Sequence, residues 1–204
     1  MKHKDISIAN PQGKASIAVL DDLHQFKPFN IRKKDAAQWL TDYFTSLLVL
    51  SSKFSFRPIT NKNYYMYFDN NNWRLSLIEP QSWKNCPYIY FASCYMHDDK
   101  SWSISPVENW EKNISLREPL NAMKKEFINS LNNKTPIIDA LPYFAGQLPY
   151  YQRLAAHALA SSLKQSLELS LGFKQSKITC GKQLIEKFKN STYSTISLLK
   201  LHDQ

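Results

Sequence analysis

The sequence predicts an α+β domain, because two kinds of periodic pattern occupy different parts of the chain. Between residues 64 and 104, short aromatic-rich runs alternate with turn residues, which is typical of antiparallel strands. Before and after this block, apolar residues recur at steps of three and four, which is typical of packed helices. We therefore expect a small antiparallel meander of three or four strands, packed with an N-terminal helix and a helical C-terminal half.

The length of 204 residues suits one domain, since a compact unit of this size buries about 70% of its unfolded surface. We divide the chain at 34 and at 112. Prolines at 11 and 28 break any periodicity, so residues 1–34 are expected to form an extended arm. Residues 35–112 should form a helix plus the sheet core, and residues 113–204 a helical part packed on the same domain.

The first predicted helix runs from about 35 to 54 and starts at Asp35, because aspartate is a favoured N-cap residue. Its apolar positions fall on one helical face, which should be core. They are Ala36, Leu40, Tyr43, Phe44, Leu47, Leu50 and Phe54.

The aromatic block predicts four strands joined by turns. Runs at 64–68 and 73–78 flank an aspartate and three asparagines, which favours a hairpin. A proline at position 80 suits a single helical turn over 80–83. A third strand at 88–95 and a short fourth at 102–104 are separated by the turn-like residues 97–100. Both faces of this sheet are apolar or aromatic, so helices should cover one, and the arm, a partner subunit or a ligand the other.

Three further helices are predicted in the C-terminal half. Ser115 and Glu118 match a capping box and begin the first of them. The strongest helical pattern covers 149–171, with Pro149 in its first turn and Gly172 as its terminator. A last helix is predicted over 181–200.

The central block resembles a known but uncharacterised family. The likeness consists of a tyrosine strand, a Ser-Leu-Ile strand, a Pro-x-x-Trp turn and an Asp-x-Ser-Trp segment, here Tyr64-Tyr65-Met66-Tyr67, Ser76-Leu77-Ile78, Pro80-Gln81-Ser82-Trp83 and Asp99-Lys100-Ser101-Trp102. The family is a domain of unknown function, found in bacterial proteins and in a eukaryotic protein that likewise has no assigned activity. The resemblance therefore implies a fold and brings no catalytic residues.

Composition excludes several function classes. No apolar run is long enough to span a bilayer, and the N-terminus lacks the apolar segment of a secretory signal. Three cysteines without C-x-x-C spacing favour neither a disulfide framework nor a zinc site, so we expect a reducing cytoplasm. With only four glycines, a phosphate-binding glycine loop is not expected. We predict no metal and no cofactor.

One dense polar cluster lies within the aromatic block, at His97, Asp98 and Asp99. An imidazole beside two carboxylates can perform acid–base chemistry or hold a divalent cation. Aspartate is equally favoured in tight turns, where its side chain bonds its own backbone. We favour the structural turn, and an enzyme centred on these three residues remains the second alternative.

The leading hypothesis is a non-enzymatic protein-interaction or scaffold protein, acting through a protein partner or self-association. Aromatic residues and arginine are enriched in protein–protein interfaces, so we expect such residues to form the binding surface. It comprises Tyr65, Tyr67, Trp73, Trp83, Tyr90, Trp102, Tyr150, Tyr151 and Arg153.

The first alternative is nucleic-acid binding by the basic C-terminal third. The formal charge is +9 overall but −1 for residues 61–112 and +6 for residues 113–204. Phosphate contacts are therefore expected from the tail and not from the aromatic block. The candidate lysines are Lys174, Lys177, Lys182, Lys187 and Lys189.

Overall fold

A computed structural model describes residues 20–143 and 146–189 and confirms the α+β class. Four antiparallel strands form one sheet: β1 Asn63–Phe68, β2 Trp73–Ser76, β3 Ile89–Met96 and β4 Trp102–Pro106. The six helices of the described ranges are α1 at 20–25, α2 Ala36–Ser51, α3 Ile114–Leu131, α4 Tyr150–Leu171, α5 Phe173–Ser176 and α6 Gly181–Lys189. None of these helices has the length and apolarity needed to cross a membrane.

The helix starts follow local capping signals, with one correction. The Asp35 side chain accepts a 2.8 Å hydrogen bond from the Gln38 amide and begins α2 as predicted. The capping box predicted at Ser115 is wrong: α3 begins at Ile114, and the Asn113 side chain accepts from the Ser115 amide at 3.0 Å. Asparagine caps helices as well as serine does, so the residue two positions earlier became the cap.

Two other predicted segments differ from, or extend beyond, the described structure. The arm predicted for 1–34 contains the helix α1 at 20–25, and its residues 1–19 lie outside the described ranges. The last helix, predicted over 181–200, is α6 up to Lys189, and its remainder lies outside the described residues. Helix α4 ends as predicted at Gly172, which adopts a φ of +81° that favours glycine.

The four strands are antiparallel as predicted, but the expected meander is wrong. The strand order is β2-β1-β3-β4, so β3 pairs with β1 and not with β2, its predecessor in sequence. The outer edge of β2 is occupied by Lys53, whose amide donates to the Trp73 carbonyl at 2.7 Å and whose carbonyl accepts from the Leu75 amide at 3.1 Å. Strand β3 therefore joins the free edge of β1, and the connection at 77–88 passes across the sheet to reach it.

Side-chain alternation gives the sheet one entirely apolar face, which we call the core face. A register shift opposite Met66 and Tyr67 places both Phe91 and Ala92 on this face. Its residues are Tyr64, Met66, Phe68, Trp73, Leu75, Ile89, Phe91, Ala92, Cys94, Met96, Trp102 and Ile104.

Helix α2 lies between this core face and the other helices, so it is buried on more than the single face predicted. It contacts β4 and β2 on one side and α3, α4 and α6 elsewhere. Its buried polar residues bond the edge of the sheet: the Thr45 hydroxyl donates to the Trp102 carbonyl, and the Trp102 amide donates to the Ser46 hydroxyl at 2.9 Å. The N–H and C=O groups of Trp102 that point away from the sheet are thereby hydrogen-bonded.

Helix α6 approaches the end of α3 closely at Gly181. A methyl group added there would lie 2.5 Å from the Leu131 carbonyl oxygen and 2.8 Å from the Leu131 Cβ. Gly181 is therefore required by close packing. By contrast, Gly146 has no atom within 4 Å of the same added group.

Gly181→Ala should lower the free energy of unfolding by about 1–3 kcal/mol, because the backbone must shift to accept the methyl group. Chemical denaturation monitored by circular dichroism measures the change. Gly146→Ala is the matched control and should stay within about 0.5 kcal/mol of the parent. Equal stability of the two variants would contradict the close approach of α6 to α3.

Candidate functional site

The second face of the sheet, which we call the open face, has an unusual composition. Ten strand positions point to this face, and four of them are tyrosine and four are serine. The only charged side chain among them is Arg74. The ten residues are Asn63, Tyr65, Tyr67, Arg74, Ser76, Tyr90, Ser93, Tyr95, Ser103 and Ser105.

Part of the open face is covered by the chain's own connection between β2 and β3. The Trp83 ring packs edge-on against Tyr67 with 6.0 Å between centroids, and Tyr67 is only 1% exposed. Burial raises the pKa of Tyr67 to about 12, although the Trp83 indole beside its hydroxyl opposes the shift. The Tyr67 hydroxyl donates to the Ile78 carbonyl at 2.9 Å. This side of the open face is therefore already packed.

The remaining tyrosines are half-buried and held by hydrogen bonds at their hydroxyl groups. Tyr95 donates to the Asn61 side chain at 3.1 Å, and the Tyr90 hydroxyl lies 2.9 Å from the Ser93 hydroxyl. The Tyr65 hydroxyl approaches Glu79 at 3.4 Å. Their rings are thereby oriented while part of each ring stays accessible, which lowers the entropy lost when another molecule binds.

Arg74 is neutralised within the open face. Its Nε donates to Asp69 at 2.6 Å, and its guanidinium lies 4.9 Å from the centroid of the Tyr88 ring. The hydrogen bond from Arg74 lowers the pKa of Asp69 to about 2. A cavity of about 410 Å³ opens beside this pair, between the Trp83 ring and the Phe54 side chain.

His97 belongs to the open face, but Asp98 and Asp99 do not share its contacts. The His97 ring packs edge-on against Tyr95 at 5.0 Å, and its Nε2 lies 3.1 Å from the Ser103 hydroxyl. Asp98 instead accepts hydrogen bonds from the side chains of Asn30 at 3.0 Å and Asn61 at 2.8 Å.

Asp99 is part of a buried ion triad with Lys34 and Asp42. The Lys34 Nζ lies 2.6 Å from a carboxylate oxygen of each aspartate, and all three side chains are only about a tenth exposed. Asp99 also accepts from the Ser101 amide at 3.0 Å and from the Ser101 hydroxyl at 2.6 Å. The triad joins the arm, α2 and the turn between β3 and β4.

The triad shifts the pKa of each of its members. Burial alone would raise the pKa of Asp99, but the Lys34 ammonium and the Ser101 hydrogen bonds outweigh it, so the pKa lies below its usual range. Burial raises the pKa of Asp42 despite the opposing Lys34 charge. Burial would lower the pKa of Lys34, but the two carboxylates outweigh that effect and raise it.

The three residues of the predicted polar cluster therefore have separate structural partners. Their side chains contact Ser103, the two asparagines and Lys34, and none of these contacts is common to the three. Within the described ranges, no three His, Cys, Asp or Glu side chains are placed to hold a metal ion.

Three residues of the predicted binding surface are buried, which corrects that prediction: Tyr67 is covered by Trp83 on the open face, and the other two lie in the core. Trp73 is 7% exposed and Trp102 is 2% exposed, both on the core face. Aromatic residues occupy both faces of these strands, so aromaticity by itself does not distinguish a buried position from an exposed one. Tyr65, Tyr67, Trp83 and Tyr90 do lie together on the open face.

The other predicted surface residues are found elsewhere, at the start of α4. The Tyr150 and Tyr151 rings meet edge-on at 5.3 Å, and the Tyr150 hydroxyl donates to Asp22 of α1 at 3.2 Å. Arg153 is exposed one turn later. Of these three residues, Tyr150 is thus bonded to α1.

All five candidate phosphate-binding lysines are exposed, but they do not line one helical face. Lys174 and Lys177 lie in and just after α5. On α6, the helical repeat places Lys182 and Lys189 on one flank of the buried stripe and Lys187 on the other.

Sequence reasoning missed the serines of the open face and the partners of Asp99. The serines had a usable signal: Ser103 and Ser105 alternate with Ile104, which is the pattern of a strand with one polar face. No sequence signal pointed to Lys34 and Asp42, because only the fold brings these residues to the turn at 97–101.

Comparisons with family models, with curated proteins and with solved structures found no match to this chain. The resemblance of the central block to an uncharacterised family therefore stays a prediction.

Lys34→Met should lower the free energy of unfolding by about 3–5 kcal/mol at neutral pH, because it leaves two buried carboxylates without their cation. Chemical denaturation measures the loss, and Lys33→Met, at the exposed neighbouring position, should change little. The difference between parent and variant should shrink as the pH falls and the unpaired carboxylates take up protons. A Lys34→Met protein as stable as Lys33→Met would contradict the triad.

Arg74→Met should raise the pKa of Asp69 from about 2 towards its ordinary value of 3.8. Because this pKa is depressed in the folded protein, Asp69 stabilises the fold above about pH 4, and this contribution is lost between about pH 4 and pH 2. Carboxyl NMR titration of the parent and the variant measures the shift. Lys62→Met is the control. An unchanged pKa of Asp69 in Arg74→Met would rule out the ion pair as the cause of the depressed pKa.

Proposed function

We propose that this chain is a non-enzymatic interaction protein that binds another protein through the open face of its sheet. One observation carries the proposal: eight of the ten strand residues on this face are tyrosine or serine, and none is lysine, aspartate or glutamate. A sheet face that serves only as protein surface normally carries many charged side chains.

The composition of the open face suits protein recognition for a physical reason. Tyrosine offers a large, rigid and amphipathic contact area at a low entropy cost, while serine offers adaptable hydrogen bonds, and antibody binding surfaces use the same pair. The bonds that hold Tyr90 and Tyr95 in place favour such preorganised contacts.

The charge of the open face favours a protein over a nucleic acid. Stacking surfaces for single strands need lysine or arginine to neutralise phosphates. The one guanidinium here, that of Arg74, is already paired with Asp69. A neutral protein surface that offers backbone and side-chain hydrogen-bonding groups therefore complements the open face better than a nucleic acid does.

The non-enzymatic part of the proposal rests on the partners of the polar cluster. The carboxylate of Asp99 is occupied by Lys34 and Ser101, and that of Asp98 by two asparagines. Among the described residues, the His97 ring contacts a serine and a tyrosine, and neither supplies the carboxylate that would orient it as a base. All three cysteines are free thiols, which supports the cytoplasmic location included in this proposal.

The double variant Tyr65→Ser/Tyr95→Ser should lose the partner, because it removes two accessible rings from the open face without touching the core. Tagged parent and variant proteins are incubated with native lysate, and captured proteins are compared by quantitative mass spectrometry. A captured partner is then purified and titrated by calorimetry, and we expect an affinity loss of about tenfold or more.

Tyr150→Ser/Tyr151→Ser is the matched control, since it also removes two adjacent tyrosine rings, at the start of α4. Thermal unfolding verifies that both variants are folded, and light scattering detects self-association. The proposal fails if both variants retain the partner equally, or if the parent is a strict monomer that captures nothing.

A further inference from the structure

A second exposed surface lies at the end of α4, in a segment of residues 169–178 that we call the knuckle. It carries three large apolar side chains in contact with solvent: Leu169 is 47% exposed, Phe173 60% and Ile178 67%. The stretch from Gly172 to Gln175 is exposed at every residue. Exposed large apolar side chains gathered in so short a segment indicate a candidate interaction surface.

The fold holds the knuckle in this conformation. Gly172 ends α4 with a positive φ, and the Ser176 amide then bonds back to the Gly172 carbonyl at 3.0 Å. Ser176 and Thr179 are buried, and the Thr179 carbonyl accepts from the Ile137 amide at 2.9 Å. Two buried anchors therefore flank the exposed Ile178, so its exposure follows from a defined backbone path.

The knuckle is also cationic. Lys174 and Lys177 are exposed, and the Lys177 Nζ lies 4.0 Å from the centroid of the Phe173 ring. The sequence has no aspartate or glutamate between Glu168 and Glu186. Apolar side chains and ammonium groups are thus combined on one short exposed segment.

We propose that the knuckle docks this protein on an anionic lipid surface. Phe173 and Ile178 would enter the boundary between headgroups and acyl chains, while Lys174 and Lys177 contact the acidic headgroups. Interfacial segments bind in this way, through buried apolar area together with attraction to anionic lipid. This inference is independent of the open face and goes beyond the proposed function.

The shape and the chemistry of the knuckle favour a bilayer over the other anionic partners. An exposed apolar segment needs a complementary surface on a partner protein, whereas a bilayer accepts it without one. A nucleic acid would use the lysines but would gain nothing from an aliphatic side chain such as Ile178.

The test uses flotation of the full chain with phosphatidylcholine vesicles, prepared with and without phosphatidylserine. The parent should bind the anionic vesicles at least about tenfold better than the neutral ones, and binding should weaken as salt rises. Phe173→Ser/Ile178→Ser and, separately, Lys174→Gln/Lys177→Gln should each reduce this partitioning by about tenfold or more.

Leu77→Ser/Ile78→Ser is the matched control, since these two apolar side chains are 60% and 46% exposed and are followed in the sequence by a glutamate, Glu79. This control should bind vesicles as the parent does. Circular dichroism verifies the fold of each variant.

Several results would overturn the proposal. They are no binding to anionic vesicles at low salt, equal binding to neutral vesicles, and knuckle variants that bind as the parent does. A loss caused by the lysine pair alone, matched by salt-dependent binding of an RNA oligonucleotide, would assign the surface to nucleic acid. A knuckle-dependent partner protein captured without any vesicle binding would assign it to a protein.

Discussion

The packing of helix α2 against one face of the sheet is the constraint on which the other features depend. Successive side chains of a strand point to opposite faces, so covering one face sorts every strand residue into a core set or an exposed set. The core set is apolar throughout, with Met66, Leu75 and Phe91 against the helices. The exposed set is almost uniformly tyrosine and serine. The candidate binding face is thus the direct counterpart of the core.

Buried polar groups fix how α2 lies on the sheet. Thr45 and Ser46 satisfy the outward backbone groups of Trp102, and Asp42 reaches the turn beyond β3 through Lys34. Such groups are costly unless every one of them is paired. Because alternative placements of the helix would leave them unpaired, they favour a single arrangement of helix and sheet. The orientation of the open face follows from that arrangement.

Three kinds of polar or aromatic segment that look alike in the sequence differ in the structure. The aspartates at 98 and 99 serve a junction between the arm, α2 and a β-turn. The tyrosines at 65, 90 and 95 form a neutral face suited to a protein partner. The knuckle around Phe173 combines apolar and cationic groups, which suits an acidic lipid surface.

The sequence by itself determined the features that depend on near neighbours. Asp35 begins α2 and Gly172 ends α4 because capping and positive φ are decided within a few residues, and the strand positions follow from aromatic runs between turns. In β1, where both faces are aromatic, only the tertiary structure decided which face is buried, so Tyr64 became core while Tyr65 stayed accessible. It also decided that β3 pairs with β1 and that Lys34 joins Asp42 to Asp99. These outcomes depend on contacts between residues far apart in sequence, and the local pattern fits either face and either pairing equally well.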